Sequence, residues 1–248
     1  MRNNMPKKAL IFYGGWNGHE PELVSKRFQE ILESHGFDVE RVDTLDCLKD
    51  LDKLMSLDLL VPCWTGWAGG ALDNETSQNI SKAIGSGVGI AGCHGGMCDA
   101  FRTDTQWQFI TGGQWVSHPG GDGVEYMVNI MHGTSPIVEG IDDFMVKSEH
   151  YYLHVDPAVE VLASTRFPIV TYYHSANKPI DMPVVWTKFW GLGRVFYNSL
   201  GHHDDVFDHS PSAQLLMERG LLWAADGKQY AKDHGLTTAR FENTAKMY

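Results

Sequence analysis

Histidines stand in four glycine-rich stretches: Gly18-His19-Glu20, Gly92-Cys93-His94-Gly95-Gly96, His118-Pro119-Gly120 and Gly201-His202-His203. A carboxylate, Glu149, sits in Ser148-Glu149-His150-Tyr151, amid apolar and aromatic neighbours. Imidazole changes charge near neutral pH, so it serves as a general acid or base. Imidazoles and carboxylates gathered from separate loops also make open catalytic zinc sites. A carboxylate among apolar residues needs a partner such as Arg, His or a metal ion. A structural ion pair is the plainer explanation for Glu149. The candidate catalytic residues are His94, His202, Glu149 and His19. The candidate metal ligands are His118, His94 and His202, from a set that also holds His19 and Glu149. The ion expected is divalent, zinc first. No HExxH motif or local ligand pair narrows that set. His203 carries less weight than His202, because adjacent side chains on an extended segment point apart.

The segment Gly92 to Gly96 has the pattern of a nucleophile elbow, a strand turning sharply into a helix with glycines around the turn residue. That residue sits in a strained backbone and its neighbours pass close together. His94 is central to the pattern. Shifting the frame by one makes Cys93 central, with Ala91 replacing the first glycine, so a displayed thiol is a second reading. Four cysteines without a CxxC pair give neither a disulfide framework nor a zinc knuckle. Cys47 and Cys63 read as buried free thiols. His118 precedes a proline, which holds its backbone extended. That suits a fixed ligand or a general base, and equally a simple turn in a stretch expected to lie outside regular structure, Gly112 to Gly120.

These loops must hang from a scaffold. Ala9 to Tyr13, Leu57 to Cys63 and Val88 to Cys93 are short apolar runs ended by glycine or a turn, which read as buried parallel strands. Phe37 to Val42 is a further strand. Residues 21–35 carry Val24, Phe28, Ile31 and Leu32 at helical spacing, with Pro21 at the first turn and Gly36 at the C-terminal cap. A second helix starts at Asp73 or Asn74 and runs to about Ile84. Strand and helix alternating with short loops imply right-handed crossovers and a parallel sheet. The second half is richer in strands: Val124–Met131, Phe144–Leu153, Val159–Ser164, Ile169–Tyr173, Val184–Lys188 and Arg194–Leu200. A last helix starts at Ser210-Pro211 and stops near Gly227. The expectation is one domain over residues 1–227 and a tail over 228–248. Ligands in open α/β sheets bind beyond the carboxyl ends of the strands. Three of the His-bearing loops should converge there.

The chain has 248 residues, 43% hydrophobic and 21% charged, which excludes disorder throughout. The formal net charge of −11 makes it a poor partner for nucleic acid or an anionic membrane. No apolar stretch reaches the length of about 18 residues that spans a bilayer. Met1 to Lys8 is polar and lacks the features of a signal peptide, so a cytoplasmic location is expected. The acidic surface and Trp-rich loops are compatible with a homo-oligomer.

Several blocks together resemble the ThuA-like, or trehalose utilisation, family. They are Gly18-His19-Glu20, Gly92 to Gly96, Gly112-Gly113 with His118-Pro119, and Ser135-Pro-Ile-Val-Glu-Gly140. They continue with Ser148-Glu149-His-Tyr, Pro183-Val-Val-Trp186, and Gly191-Leu-Gly-Arg194-Val-Phe-Tyr197 through Leu200-Gly-His202. The blocks keep the family's order from about residue 7 to 226. The resemblance implies an α/β fold like class I glutamine amidotransferases, a flavodoxin-like three-layer sandwich with a mainly parallel sheet. In this chain His94 then stands where an amidotransferase has its nucleophilic Cys, and His202 where it has its base. The resemblance also implies sugar catabolism, on trehalose or related disaccharides, beside a nicotinamide-dependent dehydrogenase that makes 3-keto sugars. The matching chemistry is proton abstraction next to the ketone, giving isomerisation or elimination. Trp16, Trp64, Trp67 and Trp115 lie in the same loops and could stack on sugar faces, or simply pack. The alternative class is a catalytically silent sugar- or protein-binding module on a degenerate amidotransferase cleft. A thiol hydrolase using Cys93 is a third.

Overall fold

The computed structural model describes residues 5–66, 71–168 and 178–241. Its first strand, β1 (Lys8–Gly15), is apolar on both faces: Ala9 and Ile11 enter one core, Leu10 and Phe12 another. A strand covered on both sides loses the in–out alternation of a half-exposed one. The chain continues into α1 (Pro21–Ser34), which starts on its proline and buries Val24, Phe28, Ile31 and Leu32 as one stripe. There follow β2 (Asp38–Val42), α2 (Leu51–Ser56), β3 (Leu59–Thr65), α3 (Asn74–Gly85) and β4 (Gly89–Cys93). Asp50 and Asp73 cap α2 and α3 by accepting the backbone N–H groups of Lys53 and Thr76. β4 turns at once into α4 (His94–Cys98), and α5 (Thr105–Thr111) comes next under an Asp104 cap.

The second half supplies β5 (Gly113–Ser117), β6 (Val124–Ile130), β7 (Phe144–Ser148), β8 (Tyr152–Val155), β9 (Glu160–Phe167), β10 (Ile180–Trp190) and β11 (Gly193–Asn198). It closes with α6 (Val206–His209), α7 (Pro211–Ala225) and α8 (Gly227–Asp233). Nine strands form one sheet in the order β2-β1-β3-β4-β11-β10-β9-β6-β7, and β5 pairs with β8 separately. From β2 to β11 all neighbours pair in parallel. From β11 to β7 they pair antiparallel, so of the nine only β10 and β6 run against the rest. The parallel half carries α1 and α7 over one core, and α3 and α5 contribute to the other. α7 closes onto β11 at Gly220, where a Cβ would stand 2.2 Å from the Phe196 ring.

Several expectations need correction. Phe144–Leu153 is two strands in different sheets, because the chain breaks at Glu149-His150-Tyr151 to turn those side chains inward. Gly112 to Gly120 is partly regular, since β5 occupies Gly113–Ser117. Beyond residue 227 the chain continues through α8 and a 3-10 turn at Thr238–Phe241, which leaves the expected division at 227/228 as it stood. The strand expected at 169–173 lies outside the described residues. Among the described residues no helix is long and apolar enough to cross a membrane.

Candidate functional site

The carboxyl ends of β1, β3, β4 and β11 lie at one edge of the sheet, where the strand order reverses between β1 and β3. Open α/β sheets place their ligand crevice at such a reversal. β1 leads to a 3-10 turn, Asn17–His19, that delivers His19. β4 ends immediately before His94, and β11 ends four residues before His202. Glu149 arrives just past β7. All four side chains are buried, at 6% exposure or less.

The three imidazoles are mutual neighbours. Ring centroids are 4.7 Å apart for His19 and His94, 4.9 Å for His19 and His202, and 5.3 Å for His94 and His202. The Glu149 carboxylate is their hub. Its Oε2 lies 3.1 Å from His94 Nε2, 3.1 Å from His202 Nδ1 and 3.8 Å from His19 Nε2. Its Oε1 lies 3.5 Å from His118 Nδ1. One donor atom from each of His19, His94, Glu149 and His202 can be chosen so that all four lie within 4.8 Å of one another.

Second contacts fix these rings. His94 Nδ1 donates to the Ser199 carbonyl at 2.8 Å, since a carbonyl can only accept. Its ring stacks on Tyr151 with centroids 3.8 Å apart. His94 has φ of 45°, a left-handed conformation that L side chains rarely hold. Strain of this kind persists only when surroundings over-determine it. The Tyr197 hydroxyl contributes by donating to the His94 carbonyl at 3.2 Å. His19 Nδ1 is 3.1 Å from the Thr65 hydroxyl. Gly95 is required beneath that ring, because a Cβ there would stand 2.3 Å from His19 Nδ1. The Tyr126 hydroxyl donates to the Glu149 carbonyl at 3.0 Å.

The electrostatics of the cluster turn on His94. With Nδ1 committed to Ser199, a neutral His94 presents a bare lone pair on Nε2 to a carboxylate oxygen. Burial pushes the His94 pKa down to about 3, against the pull of Glu149, so the ring is neutral at pH 7. Burial lowers His19 as well. Burial alone would raise the Glu149 carboxyl, but its contacts with His19 and His202 hold it well below the usual range. The result is a buried carboxylate with the His94 lone pair turned toward it and His202 Nδ1 within reach of both. The chemistry of this donor set fits a cation at its centre.

A family model described as trehalose utilisation, ThuA, matches residues 8–224. The chain belongs to the ThuA family. No curated protein matches it. A putative ThuA-like protein from Bacteroides uniformis has a similar structure, with a TM-score of 0.71 at 19% identity over 96% of this chain and 97% of that one. Another from Parabacteroides merdae gives 0.67 at 21% identity, over 90% of this chain and 91% of that one. A β-galactosidase from Bacillus circulans gives 0.53 at 10% identity, over 94% of this chain but 32% of the enzyme. At these identities the likeness is one of fold.

The tryptophans of this ThuA-family chain divide. Trp16 is 39% exposed and meets His19 edge-on at 4.8 Å. Trp115, on β5, lies 5.4 Å from the His118 ring, and its Nε1 is buried with no hydrogen-bond partner among the described residues. Trp64 packs under Gly14, where a Cβ would meet its ring at 2.7 Å. Trp67 lies outside the described residues. Cys93 is buried, and burial pushes its thiol far up, which leaves no thiolate to attack. The void it shares with His19 and His94 holds only about 10 Å³, room for one water at most. His202 and His203 have ring centroids 4.2 Å apart, closer than an extended segment allows, because the backbone bends at 202–203 and turns at 204–205. Only His202 reaches Glu149. His203 Nε2 instead lies 3.3 Å from Asp122 Oδ2.

Sequence reasoning missed the supports. Arg27 holds Asp204 through two 2.7 Å contacts, and the Asp204 N–H donates to Glu20 at 2.9 Å, which ties the His19 loop to the His202 loop. Arg102 pairs with the buried Asp99 and lies 4.4 Å over the Trp115 ring. Asp122 faces His202 Nε2 at 4.0 Å. None of these lies in a distinctive local motif, though Glu20 adjoins His19 and Asp204 follows the His pair.

Proposed function

We propose that the chain is a sugar-catabolic enzyme that acts on a keto-disaccharide or related sugar through its histidine cluster and a divalent metal, zinc first. The observation that carries this reading is the His94 Nε2 lone pair, aimed by Ser199 at a carboxylate oxygen 3.1 Å away. Two acceptors at that distance want a cation between them. His19, His94, His202 and Glu149 would hold it, with Ser199 and Thr65 as the outer partners that orient ligating rings. Bound there, the ion supplies positive charge for an oxygen on which charge develops. The strand order β2-β1-β3-β4-β11 supports the flavodoxin-like, amidotransferase-like three-layer reading of the fold.

Access assigns the remaining roles. The His118 side chain is 42% exposed, whereas the other cluster imidazoles are at 6% or less. His118 is therefore the imidazole a substrate can reach, and it acts as the general base. It takes the proton from the carbon between the ketone and the glycosidic carbon. The electron pair moves toward the carbonyl oxygen as an enediolate. Elimination then breaks the glycosidic C–O bond, and the departing oxygen takes a proton. Glu149 Oε1, 3.5 Å from His118 Nδ1, holds the base in place and balances its charge once protonated. Trp16 and Trp115 offer flat faces for the sugar. The ketone must come from an oxidising enzyme, such as a nicotinamide-dependent sugar dehydrogenase.

The test is turnover of 3-keto-trehalose followed by product chromatography. The wild type releases a free sugar. His118→Ala loses at least about a hundredfold in kcat with its metal retained, and chelation abolishes turnover. A His118→Ala variant as fast as wild type overturns the assignment of the base. Binding without turnover would mark a silent sugar-binding module.

A further inference from the structure

A cavity of about 630 Å³ opens beside the cluster, between the loop before β6, strand β7 and helix α6. It shares a wall with the site. Asp122 and His203 line it, and Asp122 is the residue facing His202 Nε2. Its size falls within the range of small-molecule pockets, about 300–1,000 Å³. Three carboxylates, Asp122, Glu125 and Asp205, line it with one lysine, Lys147, and two histidines, His203 and His209. Met145 and Val206 supply apolar surface. The loop that frames it carries positive φ at Gly120, Gly121 and Gly123, a backbone path that only glycine follows cheaply.

We infer that this cavity is a second sugar subsite, which takes the neutral, polyhydroxylated ring on the far side of the bond processed at the histidine cluster. The inference rests on the sugar reading given above and deepens it. Ionised carboxylates accept hydrogen bonds from sugar hydroxyls, and these charge-assisted bonds are the strong ones. Met145 and Val206 meet the C–H face of the ring. The excess of carboxylates over lysine repels an anionic group, so an unphosphorylated ring is selected over a phosphorylated one. A ligand that fills both places bridges from the metal-facing imidazoles to α6.

Calorimetric titration with trehalose, glucose and trehalose 6-phosphate tests this. Metal content is measured on every sample. The variants are Glu125→Gln with Asp205→Asn, and Met145→Trp, a half-exposed position that can fill the cavity without disturbing the core. The Asp205 side chain makes no capping hydrogen bond to α6, so the helix tolerates the change. Wild type binds trehalose at least tenfold tighter than glucose, and the phosphorylated sugar at least tenfold weaker than trehalose. Both variants lose the preference for two rings while their glucose affinity and metal content stay unchanged. Trehalose no tighter than glucose in wild type, or a preference untouched by the variants, overturns the proposal. A metal-free protein whose trehalose preference still needs Glu125 and Asp205 sinks the metal centre and leaves the subsite standing.

Discussion

The backbone carbonyl of Ser199 lies 2.8 Å from His94 Nδ1, and this contact decides which nitrogen of the ring looks into the site. It also decides its protonation. A ring that donates from Nδ1 and is buried at 1% exposure meets the Glu149 carboxylate with a lone pair. Without a cation, the cluster holds a buried carboxylate beside a neutral His94 ring that offers it no proton. Two separate consequences of removing that carboxylate can be measured.

Glu149→Gln separates them. In metal-free protein the substitution removes an anion that the fold holds ionised through its imidazole partners, and costs about 1–3 kcal/mol. In metal-loaded protein it removes a ligand and cuts affinity by at least about a hundredfold. Thermal melts with and without zinc check both effects.

Gly95→Ala probes the ring beneath. The new methyl would stand 2.3 Å from His19 Nδ1 and 3.0 Å from a Thr65 methyl, so His19 must move. The expected cost is about 1–3 kcal/mol, with metal affinity weakened in a chain that still folds. Denaturant unfolding and metal titration report the two effects.

Arg27→Ala removes the clamp between the His-bearing loops. Arg27 and Asp204 are each less than a fifth exposed, and Asp208 also pairs with Arg27 at 2.9 Å. Leaving Asp204 without its guanidinium costs about 2 kcal/mol. Arg27→Lys recovers only part of this, because an ammonium cannot match both carboxylate oxygens. Chemical denaturation of the two variants gives the comparison.

A pH signature comes from the other end of the sheet. Lys188 is buried on β10 and donates to Asp156 and to the Phe109 carbonyl. Burial works against the Asp156 carboxyl, but Lys188 wins and lowers it below its ordinary value of 3.8. A carboxylate depressed in the folded state stabilises the fold above its unfolded pKa and loses that contribution as pH falls through the folded one. The stability gap between wild type and Asp156→Asn is therefore full at neutral pH and closes below about pH 4. Urea unfolding across pH 3 to 7 shows it.

The parallel half of the fold was legible because Ala9 to Tyr13 and Val88 to Cys93 are apolar on both faces and end in a turn or glycine-rich segment. The convergence of His19, His94 and His202 followed from those ends. Glu149 was harder to place. His150 and Tyr151 are as compatible with a strand as Phe144 to Ser148, so nothing local marks the break between β7 and β8. The seven-residue α5 was missed because its inward pair, Trp107 and Ile110, spans a single turn. The order β11-β10-β9-β6-β7 depends on pairing over long separations, which periodicity does not encode. Arg27, Asp122 and Asp204 looked like solvated charges until the loops were brought together.

The central claim is a metal held by the histidine cluster, and elemental analysis of the purified protein with its His94→Ala variant tests it most directly. The account predicts about one divalent ion per chain in the wild type and almost none in a folded variant. A wild type free of metal after incubation with zinc, or a variant that keeps its ion, contradicts it.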